Sequence, residues 1–145
     1  MATSPSVIVK DIGGNPVPGV SVTFAVASGG GSVTPPGGVT TTNPSGIATV
    51  GSWILGSAVG SNNNTLTATV TGMGIFVTFT ASGRPGAPSQ IVLTTQPSPN
   101  AQAGGAFGTQ PQVQLKDVNG NNSPTPIPVT ITATIASAPG GSSSL

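Results

Sequence analysis

The feature that most restricts the fold of this chain is a strict alternation of apolar and polar residues. The run 20–26 reads V-S-V-T-F-A-V, so valine or phenylalanine occupies every second position. Successive side chains of a β-strand point to opposite faces of a sheet, and this pattern is therefore typical of a half-buried strand. No ten-residue stretch shows the 3.6-residue period of an amphipathic helix. The alternation predicts an all-β protein.

Further runs of this kind are separated by glycine and proline, of which the chain has 22 and 15. The sequences at 13–16 and 43–46 supply the glycine, asparagine and proline that tight turns require. Gly51 is expected to mark a bulge or a close approach between backbones. The further predicted strands are 7–11, 39–42, 47–55, 66–70, 75–80, 90–95, 113–117 and 127–136.

An internal repeat organises the chain. Residues 7–15 read V-I-V-K-D-I-G-G-N and residues 113–121 read V-Q-L-K-D-V-N-G-N, at an offset of 106. After three additional residues in the second copy, 20–28 aligns with 129–137, and a predicted glycine-rich turn follows each, at 29–32 and 140–142. A match over two strands and the turn between them indicates duplicated structural units.

The two copies differ in what precedes them. The strand predicted for 90–95 precedes the second copy, whereas only six residues precede Val7. We therefore predict that 1–83 is a repeat lacking its first strand and that 89–145 holds the first strands of a second repeat. The segment 84–88, R-P-G-A-P, is interpreted as a stiff hinge between them.

Five segments carry a resemblance to a known family: KDIGGNPVPGVSVTF at 10–24, GGGSV at 29–33, TTNPSGIATV at 41–50, TLTATV at 65–70 and VTFTA at 77–81. They resemble the bacterial immunoglobulin-like repeats of the Big-1 type, as in invasin and intimin. The resemblance covers about 6–82 and, as a partial second copy, 88–145. It implies an immunoglobulin-like antiparallel β-sandwich in tandem arrays on outer-membrane adhesins and other surface proteins. It brings no catalytic residues.

Charge is scarce, with three basic and two acidic residues and a net charge of +1. Nucleic-acid binding needs a cluster of Lys and Arg to displace counterions from phosphates, so we expect no nucleic-acid partner. An electrostatic membrane-surface binder is disfavoured for the same reason. A hydroxyl- and amide-rich surface favours an exterior matrix over the cytosol.

Export and membrane signals are missing from the sequence. No apolar run approaches the ~18 residues that suggest a membrane-spanning helix, so we expect no membrane insertion. The start, M-A-T-S-P, has neither a basic nor an apolar signal region. Because the resemblance implies a surface protein, we expect an extracellular or cell-surface location in a bacterium, with export as part of a larger protein.

The side chains needed for common catalysis are missing. The chain has no His, Cys, Glu or Tyr, which excludes Ser-His-Asp and Cys-His mechanisms within it. Asp11 and Asp117 lie at equivalent points of different repeats and are not expected to converge as a glycosidase pair. We therefore expect a non-enzymatic protein with no catalytic, cofactor-binding or metal site.

Two acidic turns and two lysines are candidates for special sites. Asp11 with Asn15, and Asp117 with Asn119 and Asn121, each offer calcium one carboxylate, and an Asp–Asn turn is the favoured interpretation. Lys10 and Lys116 are candidates for a Lys–Asn isopeptide bond, but each neighbours an Asp on the opposite strand face. An exposed Lys-Asp strand end is favoured.

Three other features have plain structural interpretations. Trp53 could be a ligand platform, although packing in the core or between domains is favoured. Gly29–Gly31 is not a phosphate loop, because neither lysine nor a helix follows it. Thr67 and Thr69 could belong to a carbohydrate- or ice-binding row, but threonine is ordinary on the solvent face of a strand.

Three functions follow as hypotheses. The first is a structural repeat of a stalk or adhesin, whose sandwiches and short hinges set reach and stiffness. The second is a filament subunit, joined head-to-tail through unpaired strands of neighbouring repeats or other copies. The third is a carbohydrate-binding module, for which a surface glycan or receptor would be the partner.

Overall fold

The computed structural model describes residues 3–124 and 130–134, and within these ranges it contains strands and no helix. The all-β prediction is therefore confirmed. The strands are β1 (Ser6–Ile8), β2 (Ser21–Ser28), β3 (Gly31–Thr34), β4 (Val39–Thr41), β5 (Ile47–Thr49), β6 (Ser52–Leu55), β7 (Gly60–Val70), β8 (Phe76–Gly83), β9 (Gln90–Thr95) and β10 (Gln112–Lys116).

The N-terminal part, residues 3–83, is built on a four-stranded antiparallel sheet in the order β4-β2-β7-β8. In β2 the alternation places Val22 and Phe24 in the core, where both are fully buried. In β7 the same alternation buries Leu66 and Ala68. The period-two pattern thus selects one face of this sheet for the interior.

A second layer is made by two antiparallel pairs, β1 with β5 and β3 with β6. β5 and β6 follow each other directly, separated only by Val50 and Gly51. A Cβ on Gly51 would lie 2.9 Å from the Thr34 carbonyl oxygen, so the expected close approach is present there. Ala48 and Val50 from this layer are buried with the residues of the larger sheet.

The core between the two layers gives a sandwich-like arrangement. The Phe24 and Phe79 rings stack with centroids 6.4 Å apart, and Trp53 packs against the same cluster. Burial of one such aromatic or leucine side chain is worth roughly 1.5–3 kcal/mol. Phe24 is fully buried in this cluster, so its packing favours closure of the sandwich.

The strand predicted for 47–55 is divided into β5 and β6, and two further differences within residues 3–83 have a clear cause in the tertiary structure. The glycine-rich segment at 29–32 was expected to be only a turn, but β3 begins within it at Gly31. Gly31 has φ +94°, and a Cβ there would overlap the Ile54 carbonyl across the pair with β6. Tertiary pairing therefore overrides the low strand propensity of glycine.

The second difference is the length of β7, which begins at Gly60, six residues before the predicted start. Asn64 is buried there, accepts a hydrogen bond from the Gly56 amide at 3.1 Å and donates to Asn63 Oδ1 at 2.9 Å. Asn63 Oδ1 also accepts the Gly83 amide at 2.9 Å. These asparagine side chains satisfy backbone groups beside the bulge in this strand.

The C-terminal part, residues 89–124, contains the antiparallel pair β9 and β10. Of the strand predicted for 127–136, residues 130–134 carry no strand, and 127–129 and 135–136 lie outside the described residues. Within the described ranges, no helix is long and apolar enough to span a bilayer.

Candidate functional site: the joint and the open strand edge

The first Lys-Asp turn follows β1 and is closed by Asp11. The Asp11 amide donates to the Asn15 carbonyl at 2.9 Å, and the Gly14 amide donates to the Asp11 carbonyl at 3.0 Å. Asp11 Oδ1 accepts the Asn15 amide at 2.8 Å. The Val17 amide then donates to the Val9 carbonyl at 3.0 Å. The carboxylate thus satisfies donors of its own turn, as the turn interpretation predicts.

The second Lys-Asp turn, 106 residues later, has the same hydrogen bonds. The Asp117 amide donates to the Asn121 carbonyl at 2.9 Å, and the Gly120 amide to the Asp117 carbonyl at 3.0 Å. Asp117 Oδ1 accepts the Asn121 amide at 2.9 Å. The Ser123 amide donates to the Leu115 carbonyl at 3.0 Å. The matching sequences therefore have matching geometry.

The two carboxylates differ in their surroundings. Asp11 is exposed, whereas Asp117 is only 1% exposed. The prediction of an exposed Lys-Asp strand end is therefore wrong for Asp117. The reason is the connecting segment, whose Gly86 amide donates to Asp117 Oδ2 at 2.9 Å. That segment covers the second turn and leaves the first one open.

Two more hydrogen bonds complete this contact. Ser123 Oγ donates to the Gly86 carbonyl at 2.8 Å, so both polar backbone groups of Gly86 are held. Asn121 Nδ2 donates to the Ser57 carbonyl at 2.9 Å and so reaches the N-terminal part directly. We call these five residues, Ser57, Gly86, Asp117, Asn121 and Ser123, the joint. The joint ties the two parts of the chain to each other and to the segment between them.

The hydrogen bonds of the joint stabilise the charged form of Asp117. They lower its pKa to about 2, chiefly through the Asn121 side chain and next through the Gly86 amide. The pKa of Asp11 is also lowered, chiefly by the Asn15 side chain. Within residues 3–124 and 130–134, no three His, Cys, Asp or Glu side chains are grouped so as to hold a metal ion.

Among residues 3–124 and 130–134, no strand pairs with the other edge of β1, which we call the open edge. The Val9 amide donates to the Gly46 carbonyl at 2.8 Å, and the Val50 amide donates to the Pro5 carbonyl at 3.1 Å. Backbone groups alternate in direction along a strand, so those of Ser6 and Ile8 point away from β5. The equivalent edge of β10 is the one that pairs with β9. β1 thus presents an edge whose counterpart is occupied in the second copy.

A groove runs along this edge between β1 and β8. It contains cavities of about 660 and 270 Å³. Its walls include exposed apolar groups, among them Val77, which is 49% exposed. We call it the β1–β8 groove, and it is lined by Ser4, Pro5, Ser6, Val7, Ile8, Val9, Lys10, Val22, Trp53, Ala68, Val70, Phe76, Val77, Phe79 and Ala81.

No protein-family model matches this chain. No curated protein and no solved structure matches it either. The resemblance to Big-1 repeats therefore stays a prediction from the quoted segments. The joint and the groove, by contrast, rest on hydrogen bonds and packing within the chain.

The remaining candidate residues have structural positions. Lys10 is exposed at the groove and Lys116 is half-buried, so neither lies in the core as an isopeptide bond would require. Trp53 packs on the core, as favoured, and also lines the groove. Thr67 and Thr69 are half-buried and pair with Thr78 and Thr23 on adjacent strands.

Sequence reasoning missed three residues of the joint, Ser57, Gly86 and Ser123. Gly86 lies in the segment interpreted as a hinge, and its glycine gave no sign of a partner 31 residues away. Ser57 and Ser123 act through a carbonyl and a hydroxyl, which occur at many positions of any sequence. Only the packing of the second turn onto the connecting segment brings them together.

Proposed function

We propose that this chain is a non-catalytic structural module made of immunoglobulin-like β-sandwich repeats of the Big-1 type. In this proposal it belongs to a tandem array at the exterior of a bacterium, as a stalk or adhesin segment. The joint is the observation that carries the proposal. A module whose task is to span distance needs defined contacts between successive units, and the joint supplies three hydrogen bonds at that place.

The joint changes the mechanical character of the connecting segment. Pro85 and Pro88 restrict the backbone on either side of Gly86, while Asp117 and Ser123 hold both of its polar backbone groups. The segment then fixes the orientation of the two parts of the chain and does not let them rotate freely. An array built from such joints has a persistent direction, which suits a stalk that holds another domain at a distance.

A distance measurement between the two parts tests this proposal. The chain has no cysteine, so Thr78→Cys and Thr94→Cys, both at exposed positions, accept spin labels without competition. Double electron–electron resonance in dilute solution should give a single narrow distance distribution between the two labels. Asp117→Ala should broaden it, because the Gly86 amide loses its acceptor.

Asp11→Ala is the matched comparison, because it removes the same carboxylate from a turn that holds no connecting segment. Its distance distribution should equal that of the unsubstituted chain. A broad distribution in the unsubstituted chain, or equal broadening by both variants, would falsify the joint as the carrier of stiffness.

A second candidate function, a subunit that assembles head-to-tail, is supported by the open edge of β1. Unpaired edges beside an apolar groove invite an added strand from another chain. A contact between unlike surfaces of identical chains continues into a filament unless its rotation closes a ring. Light scattering over a concentration series tests this candidate, and a monodisperse monomer throughout would exclude it.

A further inference from the structure

We infer that the β1–β8 groove, extended by the Asp11–Asn15 turn, binds the segment 86–95 of a second copy of this chain as an added β-strand. The inference deepens the second candidate function, and it rests on the proposal that 7–15 and 113–121 are copies of one structural element. Three features of the chain support this binding: the pairing of β9, the burial of its side chains and the contact at the turn.

The pairing step comes from β9 on β10. There Gln90 lies opposite Lys116, Ile91 opposite Leu115, Val92 opposite Gln114 and Leu93 opposite Val113, in antiparallel register. The repeat offset of 106 converts this register to β1. It places Gln90 opposite Lys10, Ile91 opposite Val9, Val92 opposite Ile8 and Leu93 opposite Val7. The backbone N–H and C=O of Ile8 point away from β5, toward the added strand. Those of its equivalent, Gln114, point toward β9.

The burial step concerns which side chains enter the groove. Residues opposite each other on neighbouring strands share a face of the sheet. Val7 and Val9 pack against the core, so Ile91 and Leu93 would point inward, onto the groove wall. In their own part of the chain these two side chains are 57% and 46% exposed. Transfer to the groove would remove apolar surface of both from water, which favours the exchange.

The third step concerns the exposed turn. Asp117 Oδ2 accepts the Gly86 amide, whereas Asp11 Oδ2 accepts only from Asn15 Nδ2 among the described residues. With β9 of a second copy on β1 in the derived register, the Gly86 amide of that copy reaches Asp11 as it now reaches Asp117. At the Asp11 turn, Val17 occupies the position equivalent to Ser123, so one hydroxyl contact of the joint is not reproduced.

The groove and β9 lie in different parts of the chain, so each molecule offers an acceptor at one end and a donor strand at the other. Exchange of an identical element between copies is a low-cost route to association, because most contacts that break are formed again elsewhere. Here the exchanged contacts are nearly equivalent, and the additional burial of Ile91 and Leu93 favours assembly.

A peptide of residues 85–96, PGAPSQIVLTTQ, tests the groove on the full chain. Trp53 is the only tryptophan and lines the groove, so its fluorescence reports binding directly. We expect a saturable change. A Leu93→Ser peptide should bind at least about tenfold more weakly, because an inward leucine is lost. A Val92→Ser peptide, altered on the outward face, should bind within about threefold of the original.

The turn contact has its own comparison in the same assay. Asp11→Asn keeps an oxygen for the Asn15 amide but places an amide group where the Gly86 amide would donate, so the peptide should bind several-fold more weakly. Unchanged affinity would remove the turn from the site. No binding of the original peptide, or equal binding of the two serine peptides, would overturn the groove itself.

A disulfide test decides the register and the occupant. Two single-cysteine chains of different size, one Ile8→Cys and one Val92→Cys, should form a mixed disulfide on mild oxidation. Ile8→Cys with Leu93→Cys should not, because these positions face opposite sides of the sheet. Equal cross-linking of both pairs would overturn the register. A chain that stays monomeric at every concentration, although the peptide binds, would overturn the second copy as the occupant.

These results separate this inference from the proposed structural role. A narrow distance distribution across the joint with no peptide binding leaves the stalk module intact and removes the groove site. Peptide binding in register together with a broad distance distribution across the joint supports the groove site and removes the stiff stalk module.

Discussion

Gly86 donates its backbone N–H to Asp117 Oδ2 at 2.9 Å, which joins a glycine of the connecting segment to a carboxylate 31 residues later. This hydrogen bond distinguishes two turns that are otherwise closed in the same way. It buries the second carboxylate and leaves the first, Asp11, exposed. The same turn sequence is therefore covered at its second occurrence and exposed at its first.

The joint should weaken in acid. The pKa of Asp117 is lowered from 3.8 to about 2, so the folded state binds its proton less readily than the unfolded chain does. The stabilising contribution is thus complete above the ordinary pKa and is lost as the pH falls from about 4 through 2. The spin-label distance distribution should be constant between about pH 5 and 8 and broaden below about pH 4. A carboxyl titration by NMR gives the pKa itself, and an Asp117 value near 4 would contradict this prediction.

Core substitutions should be costly in proportion to burial. Phe24→Ala should lower the free energy of unfolding by about 3–5 kcal/mol and Leu66→Ala by about 2–5 kcal/mol, because both side chains are fully buried. Ile54→Ala, at a side chain 59% exposed on the same layered fold, should cost less than about 1 kcal/mol. Urea unfolding followed by Trp53 fluorescence measures all three. Similar losses in all three variants would place the core elsewhere.

Two adjacent glycines should respond differently to alanine. Gly37 and Gly38 both have positive φ, at 80° and 66°. A Cβ at Gly37 meets nothing within 4 Å, whereas one at Gly38 overlaps the Phe24 backbone. Gly37→Ala should therefore cost only the left-handed conformation, about 1–2 kcal/mol. Gly38→Ala should cost clearly more, since β2 must also shift, and equal midpoints in urea for the two variants would contradict the close approach.

The asparagine network beside β7 should be intolerant of truncation. Asn64→Ala removes a fully buried side chain and leaves the half-buried Gly56 amide without its acceptor, which should cost about 1–3 kcal/mol. Asn62 is exposed and has φ 49°, a conformation that glycine adopts freely. Asn62→Gly should therefore change stability by less than about 1 kcal/mol. Thermal unfolding of the two variants measures both changes in stability, and equal losses would contradict a structural role for the Asn64 network.

Local patterns were sufficient for most of the strands. The alternation in 20–26 predicted β2 and its buried face, and 90–95 coincides with β9, because the side-chain period of two is a property of the strand itself. The duplicated Lys-Asp sequence likewise predicted two turns of one kind. Turn geometry depends on glycine, asparagine and aspartate within a few residues, so it can be read locally.

What the local pattern could not decide is which groups meet across the fold. β3 arises within a glycine-rich segment because β6 pairs with it, and Asp117 is buried because Gly86 returns to its turn. The same residue type, 106 positions earlier, stays in solvent. The sequence by itself determined strands, faces and turns, which depend on neighbours along the chain. The tertiary structure alone decided burial, the joint and the open edge of β1, because each depends on partners distant in the sequence.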